Sequence, residues 1–262
     1  MKEIKNYIRA GYPGIFLISH EETRVEQELK KITKSLDFKL YVWTIASGIT
    51  NPETHSVVPD SEDPTVMLDK FAGLPEKSVL LAKDFHLFTG ESNPIIVRKL
   101  KDALLTAKSS NRVLVILGCQ LKLAPELEKE IVVTEFKLPG REELQVVVEA
   151  IAESASIQLN GSLDPILDAG SGLTTMEMEN ASALSVIEAQ DIIPAIIARE
   201  KANTVKKNGI LEIVEVKENL DSIGGLEVLK SWMVRRKAAF GKEAKEYGIS
   251  LYGHEMFWRI VT

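Results

Sequence analysis

At 262 residues the chain has room for one large domain or two modest ones, and 45% apolar content is ample for a buried core. A net charge of −6 and a pI near 5.5 argue against a protein built around nucleic-acid backbone or an anionic membrane. The single cysteine, Cys119, excludes an internal disulfide, and no apolar run has membrane length; the expectation is a cytoplasmic protein with no membrane contact.

In chain order, Lys2 to Ala10 places Ile4 and Ile8 on one helical face, and Gly11-Tyr12-Pro13-Gly14 ends that helix. Ile15 to Ile18 is a compact apolar strand. The helix after it carries Val25, Leu29, Ile32 and Leu36 on one side. Its start reads as a capping box, with Ser19 accepting from the third helical amide and Glu22 reaching back. Leu40 to Ile45 is the second strand, and Thr50 to Pro64, with three prolines, reads as a surface loop before a short helix over Val66 to Phe71. Ser78 to Asp84 is an apolar run closed by a carboxylate. Such a run suits a strand buried on both faces in the middle of a parallel sheet. Asp84 then lies at the edge where α/β sheets place their ligand crevice, although it reads equally as a residue that ends a strand.

Pro94 opens a helix whose core face is Ile96, Leu100, Ala103, Leu104 and Ala107, with Arg98, Lys99, Lys101 and Lys108 mostly on a solvated face. Val113 to Leu117 is the fourth strand, closed by Gly118; Glu126 to Ile131 reads as a helical turn and Val132 to Phe136 as the fifth strand. This alternation predicts an α/β domain over residues 1–140 with a parallel five-stranded sheet. From Arg141 helices follow without strands, a helical lid over 141–208. Its first face is Leu144, Val147, Val148 and Ile151, and a further helix spans Leu163 to Ala169. A second capping box, Thr174 to Glu177, leads into Met178, Ala181, Leu184 and Ile187, and Asp191 caps the helix of Ile193, Ile196 and Ile197. Residues 209–262 read as a linker, with Ile210 to Val216 extended, and the start of another module.

Chemistry is sparse. A phosphate-cradling loop should follow the first strand, where a helix N-terminus offers free amides. That position holds Ser19-His20-Glu21-Glu22-Thr23-Arg24, with no glycine to wrap a phosphate and no lysine to neutralise it. Glu21 and Glu22 set the chain's own carboxylates against the helix dipole, which favours the helix and repels a triphosphate. Gly224 to Ser231 approaches a Walker motif but carries Leu229 where glycine is needed. The four histidines are scattered and form no metal motif. His86, two residues past Asp84, reads as a satisfied loop histidine; Cys119 sits at a strand end with nothing nearby in sequence to activate its thiol.

Leu220-Asp221-Ser222-Ile223-Gly224-Gly225-Leu226, followed by the amphipathic Val228 to Arg236, resembles the segment that opens an AAA-family ATPase module. Lys245 to Leu251 resembles the lead-in to that module's first strand, and Gly172 to Ala181 resembles a lid-helix segment. The preceding 200 or so residues resemble the degenerate N-terminal half of the uncharacterised reading-frame AAA proteins of chloroplasts and cyanobacteria. The resemblance implies a P-loop-NTPase-like sheet in residues 1–140 and a truncated second module in 209–262. It places Asp84 at the strand-end acid of a degenerate Walker B position, with Phe85 where an active module carries Glu, and Ile223 and Gly224 beside adenine.

By the same resemblance the intact family uses ATP and Mg²⁺, while this chain is expected to bind neither, and its partners are proteins or further copies in AAA-type contacts. The expectation is therefore a non-hydrolysing N-terminal part of an ATP-hydrolysing ring protein. Two alternatives stand beside it: a stand-alone interaction or assembly-regulating module, and a small-molecule-binding domain using the crevice around Asp84 and Gly118. Trp232, Met233, Phe257, Trp258 and Ile260 are expected to lack a full core.

Overall fold

Runs of alternating large apolar residues, inward on both sides, dictate the architecture. The computed structural model describes residues 1–90, 93–159, 162–207 and 224–237. Its first half contains α1 (Lys2–Arg9), β1 (Gly14–Ile18), α2 (Glu22–Leu36), β2 (Lys39–Thr44), β3 (Gly48–Thr50), α3 (Pro64–Ala72), β4 (Ser78–Lys83), α4 (Pro94–Ser109), β5 (Arg112–Gly118) and β6 (Ile131–Glu135). The strands form one six-stranded sheet of order β3-β2-β4-β5-β1-β6, parallel throughout except for β3. β4 and β5 are central, as a two-sided apolar run requires.

Successive side chains on each strand enter opposite cores. Ile15, Leu17, Val79, Leu81, Val113 and Val115 meet α1 and α2, through Ile4, Ile8, Val25, Leu29 and Ile32. Phe16, Leu80, Ala82, Leu114 and Ile116 meet α3 and α4, through Met67, Leu68, Phe71, Leu100 and Leu104. The sheet is thus covered on both faces, and the pieces left free for chemistry are the loops at its strand ends.

The five-stranded expectation falls short by β3, which pairs antiparallel with β2. It is too short to register as an apolar run, and long-range bonds hold it in place. Gly48 takes a positive φ of 65°, Ile49 is fully buried, and the Ile49 amide donates to Ser61 Oγ at 2.7 Å. Ser61 in turn accepts the indole N–H of Trp43 at its carbonyl, 2.6 Å away. The proline-containing loop read as surface is therefore tied into the core at a fully buried serine.

The second half holds α5 (Arg141–Ser154), α6 (Leu163–Gly170), α7 (Thr175–Ala189) and α8 (Pro194–Lys207), with no strand among the described residues from Arg141 to Lys207. They enclose a separate core of Leu144, Val148, Leu167, Met178, Ala181 and Ile197. The Thr174–Glu177 capping box forms, the Thr174 hydroxyl accepting from the Glu177 amide at 3.2 Å and Glu177 Oε2 accepting from the Thr174 amide at 2.8 Å. Ile187, the last apolar residue named for this helix, is 78% exposed. Nine residues after Met178 is about two and a half helical turns, which is the opposite side. Asp191 accepts from the adjacent Ile192 amide, and the Ile193 amide goes to Ser185 Oγ at 2.8 Å, so the turn before α8 is held by α7.

Beyond Lys207 the structure describes Gly224 to Lys237, with α9 over Glu227–Lys237, where Val228 is 87% and Trp232 48% exposed. The expected linker from Ile210 to Val216, together with Ile223, Lys245 to Leu251, Phe257, Trp258 and Ile260, lies outside the described residues. Among the described residues no helix is long and apolar enough to cross a membrane.

Trp43 is the largest fully buried side chain, packed edge-on to Phe85 at 5.5 Å. Trp43→Ala should lower unfolding free energy by about 3–5 kcal/mol in a urea titration, through lost packing and an orphaned Ser61 carbonyl.

Candidate functional site

The C-terminal ends of β1, β4 and β5 form the edge at which α/β sheets bind ligands. Backbone bonds stitch this edge together: the Ser19 amide donates to the Gly118 carbonyl at 2.9 Å and the Asp84 amide to the Leu117 carbonyl at 3.0 Å. The capping box expected at Ser19 does not form. Helix α2 begins at Glu22 with Glu21 at its cap position, and Ser19 Oγ accepts from the Glu21 amide at 2.9 Å in a tight turn before it. Ser19 is thus too early in the chain to reach the third helical amide.

The Glu21 side chain makes no cap hydrogen bond to its own helix. It is 6% exposed, and Oε1 accepts from both the amide and the hydroxyl of Thr175, at 2.7 and 2.9 Å. Thr175 is the first residue of α7, so the carboxylate is an anion seated at a helix N-terminus, where free amides and the macrodipole favour it. Its other oxygen pairs with Arg24 one turn along α2.

Arg24 carries the contact outward. Its guanidinium donates to both oxygens of Glu143, at 2.9 and 3.0 Å from Nη2, and to the Lys137 carbonyl at 2.9 Å. It also lies 4.4 Å over the Phe136 ring. Glu143 closes the arrangement by accepting from the Gly140 amide at 2.7 Å, at the start of α5. Burial pushes the Glu143 carboxyl up, but the Gly140 amide and the Arg24 guanidinium outweigh it and hold the group below its usual range. On the other side of α2, Lys83 Nζ lies 2.8 Å from Glu26 and 3.7 Å from Glu22. The acids at the head of α2 are therefore matched by cations of the same chain.

Asp84 lies one residue beyond β4, exposed, in a left-handed conformation with φ 57° and ψ 11°. Phe85 is fully buried against Trp43 and tilted onto Phe88 at 5.8 Å, so the position after the acid belongs to the core. His86 follows at 2% exposure; its Nε2 is 3.8 Å from Cys119 Sγ and its Nδ1 has no hydrogen-bond partner. It is not the satisfied loop histidine expected from sequence. The ring lies against Gly118, where an added Cβ would meet Nδ1 at 2.5 Å. The space beside Gly118 is accordingly filled by the protein's own imidazole. Gly224 is exposed with nothing within 4 Å of a Cβ placed there, and its neighbour Ile223 lies outside the described residues. Among the described residues there is no cluster of three or more metal-binding side chains.

Asp84, His86, Gly118 and Cys119 thus come together at one sheet edge, while Glu21, Arg24, Glu143 and Thr175 form a second group that sequence reasoning missed. The available signal was the acid–acid pair Glu21-Glu22 before an arginine, in the place of a phosphate loop, but its partner Thr175 stands 154 residues away.

A mostly parallel sheet with helices on both faces and an added helical bundle define an α/β protein of the P-loop NTPase type. Residues 1–136 match the family described as SpoVK-like AAA ATPase, N-terminal domain, and the chain belongs to it. It is 29% identical over 258 residues to the uncharacterized AAA domain-containing protein ycf46 of Guillardia theta, covering 96% of this chain and 50% of that one. To the ycf46 protein of Trieres chinensis it is 28% identical over 250 residues, covering 92% and 50%. The chain spans about half the length of these curated relatives. Among solved structures it is similar to the RuvB Holliday junction branch migration motor of Thermotoga maritima, at TM-score 0.47 and 13% identity, covering 76% of this chain and 68% of that one.

Arg24→Ala leaves Glu21 buried without its cation, which costs about 3–5 kcal/mol in comparable settings. Hydrogen exchange should locate the loss at the starts of α5 and α7, with the β4 and β5 amides keeping their protection. Because the Glu143 carboxyl is depressed in the folded chain, its contribution is full at neutral pH and disappears as pH falls through and below the usual carboxylate range. In Glu143→Gln the acid-induced part of that loosening should be smaller, measured by urea unfolding at neutral pH and at about pH 3.

Proposed function

We propose that this chain is a non-hydrolysing structural module of an AAA-type protein, with residues 1–140 as a degenerate α/β domain and 141–208 as its helical lid. ATP binding and hydrolysis in the intact protein then belong to sequence beyond this module. The observation that carries the reading is the Glu21 carboxylate, which follows the first strand and joins the head of α2 to Thr175 at the head of α7. Where a phosphate-binding protein offers amides and a lysine to a ligand, this chain offers a glutamate and matches it internally.

Residues at the edge do not fit Mg²⁺-nucleotide. Ser19-His20-Glu21-Glu22 supplies no glycine turn and no lysine, and Lys83 is engaged with Glu22 and Glu26. Asp84 matches a strand-end acid by position, yet its neighbour Phe85 is a core residue and supplies no second carboxylate. Gly224, with Ile223, would at most contribute adenine contacts. The module's role is then to hold a nucleotide-independent arrangement of sheet and lid within a larger assembly, through contacts with protein, either partners or further copies of the chain.

Calorimetry with Mg-ATP tests this. Expected is no hydrolysis and at most weak binding, with a dissociation constant of about 1 mM or roughly −4 kcal/mol. A micromolar constant abolished in Asp84→Ala would overturn the reading. A converse test is Phe85→Glu: restoring the acid by position should yield no ATPase activity and should destabilise the chain by several kcal/mol, roughly the cost of an unpaired buried charge.

A further inference from the structure

The His86–Cys119 pair is used by nothing described so far, and it joins two unusual features. Cys119 is the only cysteine in the sequence and is exposed. His86 is 2% exposed, with Nδ1 buried and unpartnered and Nε2 3.8 Å from the Cys119 sulfur. The loops that carry them are laced together by Thr89, fully buried, whose Oγ1 lies within hydrogen-bond distance of the His86 and Lys122 carbonyls. The Thr89 carbonyl accepts the Ala124 amide at 2.8 Å. Gly118 completes the fit, because any Cβ there would strike the imidazole.

The orphaned nitrogen decides the proton's place. A neutral imidazole carries one N–H, and the two nitrogens are not equivalent here. With the proton on Nδ1, a buried donor would have no acceptor. With the proton on Nε2, the N–H points at Cys119 and only a lone pair is left unpartnered, which is the less costly defect. The favoured tautomer therefore directs its N–H at the Cys119 sulfur, 3.8 Å away.

We propose that Cys119 is a modification site, a nucleophilic thiol positioned by His86 that reacts with low-molecular-weight disulfides. The Cys119 thiol releases its proton to water, and the thiolate attacks one sulfur of the disulfide. That S–S bond breaks, a Cys119–S–S–R mixed disulfide forms, and the second half leaves as a thiolate. His86 acts as a positioning residue: its N–H holds the attacking sulfur in place and is left unchanged by the exchange. The product places a polar adduct at the sheet edge beside Asp84.

The test uses the whole chain and two probes, iodoacetamide and oxidised glutathione, with Cys119 the sole reporting thiol. At neutral pH the folded chain should alkylate about tenfold faster than the same chain unfolded in urea, and should form a one-to-one mixed disulfide. His86→Phe keeps a ring against Gly118 and removes the donor, and should bring the folded rate down to or below the unfolded one. Should that variant fail to fold, the comparison of folded with unfolded native chain still decides. A folded rate equal to or slower than the unfolded rate would overturn the proposal, as would a folded His86→Phe chain that reacts as fast as the native one.

Discussion

A carboxylate taken out of water needs donors, and Glu21 finds them in two parts of the chain that share no backbone bond. Thr175 supplies an amide and a hydroxyl, and Arg24 supplies a guanidinium. Desolvation of such a group costs several kcal/mol, so the carboxylate is stable only while both partners stay in place. Arg24 is bound in the same way by Glu143, the Lys137 carbonyl and the Phe136 ring. The position of α7 over the head of α2, and the exit of the chain from β6 into α5, are both consequences of one buried charge. Two hydrophobic cores that could otherwise slide past one another are held by directional bonds at their junction.

The same arrangement occupies the place after the first strand where phosphate-binding α/β proteins carry a glycine-rich loop. Helix N-termini attract anions, and the fold presents two of them close together, those of α2 and α7. A phosphate is one way to satisfy them. Here Glu21, an anion encoded in the sequence, bonds the N-terminus of α7, and it brings its own counter-ion on the next turn of α2. On the far side Lys83 serves Glu22 and Glu26 in the same manner.

Local signals in the sequence were read well and distant ones were not. Strands β1, β2, β4 and β5 were legible as compact apolar runs and β6 from its Ile-Val-Val start, and α4 and α7 because proline and a capping box mark their starts. Strand β3 escaped because a three-residue strand has no period; its place depends on Ser61. The Ser19–Glu22 cap failed for a related reason, since Ser19 bonds two residues ahead and the helix starts after that turn. Glu21–Thr175 and His86–Cys119 join residues 154 and 33 positions apart, and no local pattern announces either contact.

Asp84 keeps a backbone conformation that most side chains enter only at a cost. With φ at 57° it stands in the left-handed region, where a Cβ crowds the following carbonyl, and glycine, asparagine and aspartate are the residues that tolerate it. The sharp turn is what sends Phe85 into the core and His86 under Gly118. An aspartate at this point is therefore what the geometry of the chain reversal selects by itself. Its presence at the end of a buried strand is accounted for by the shape of the chain reversal alone.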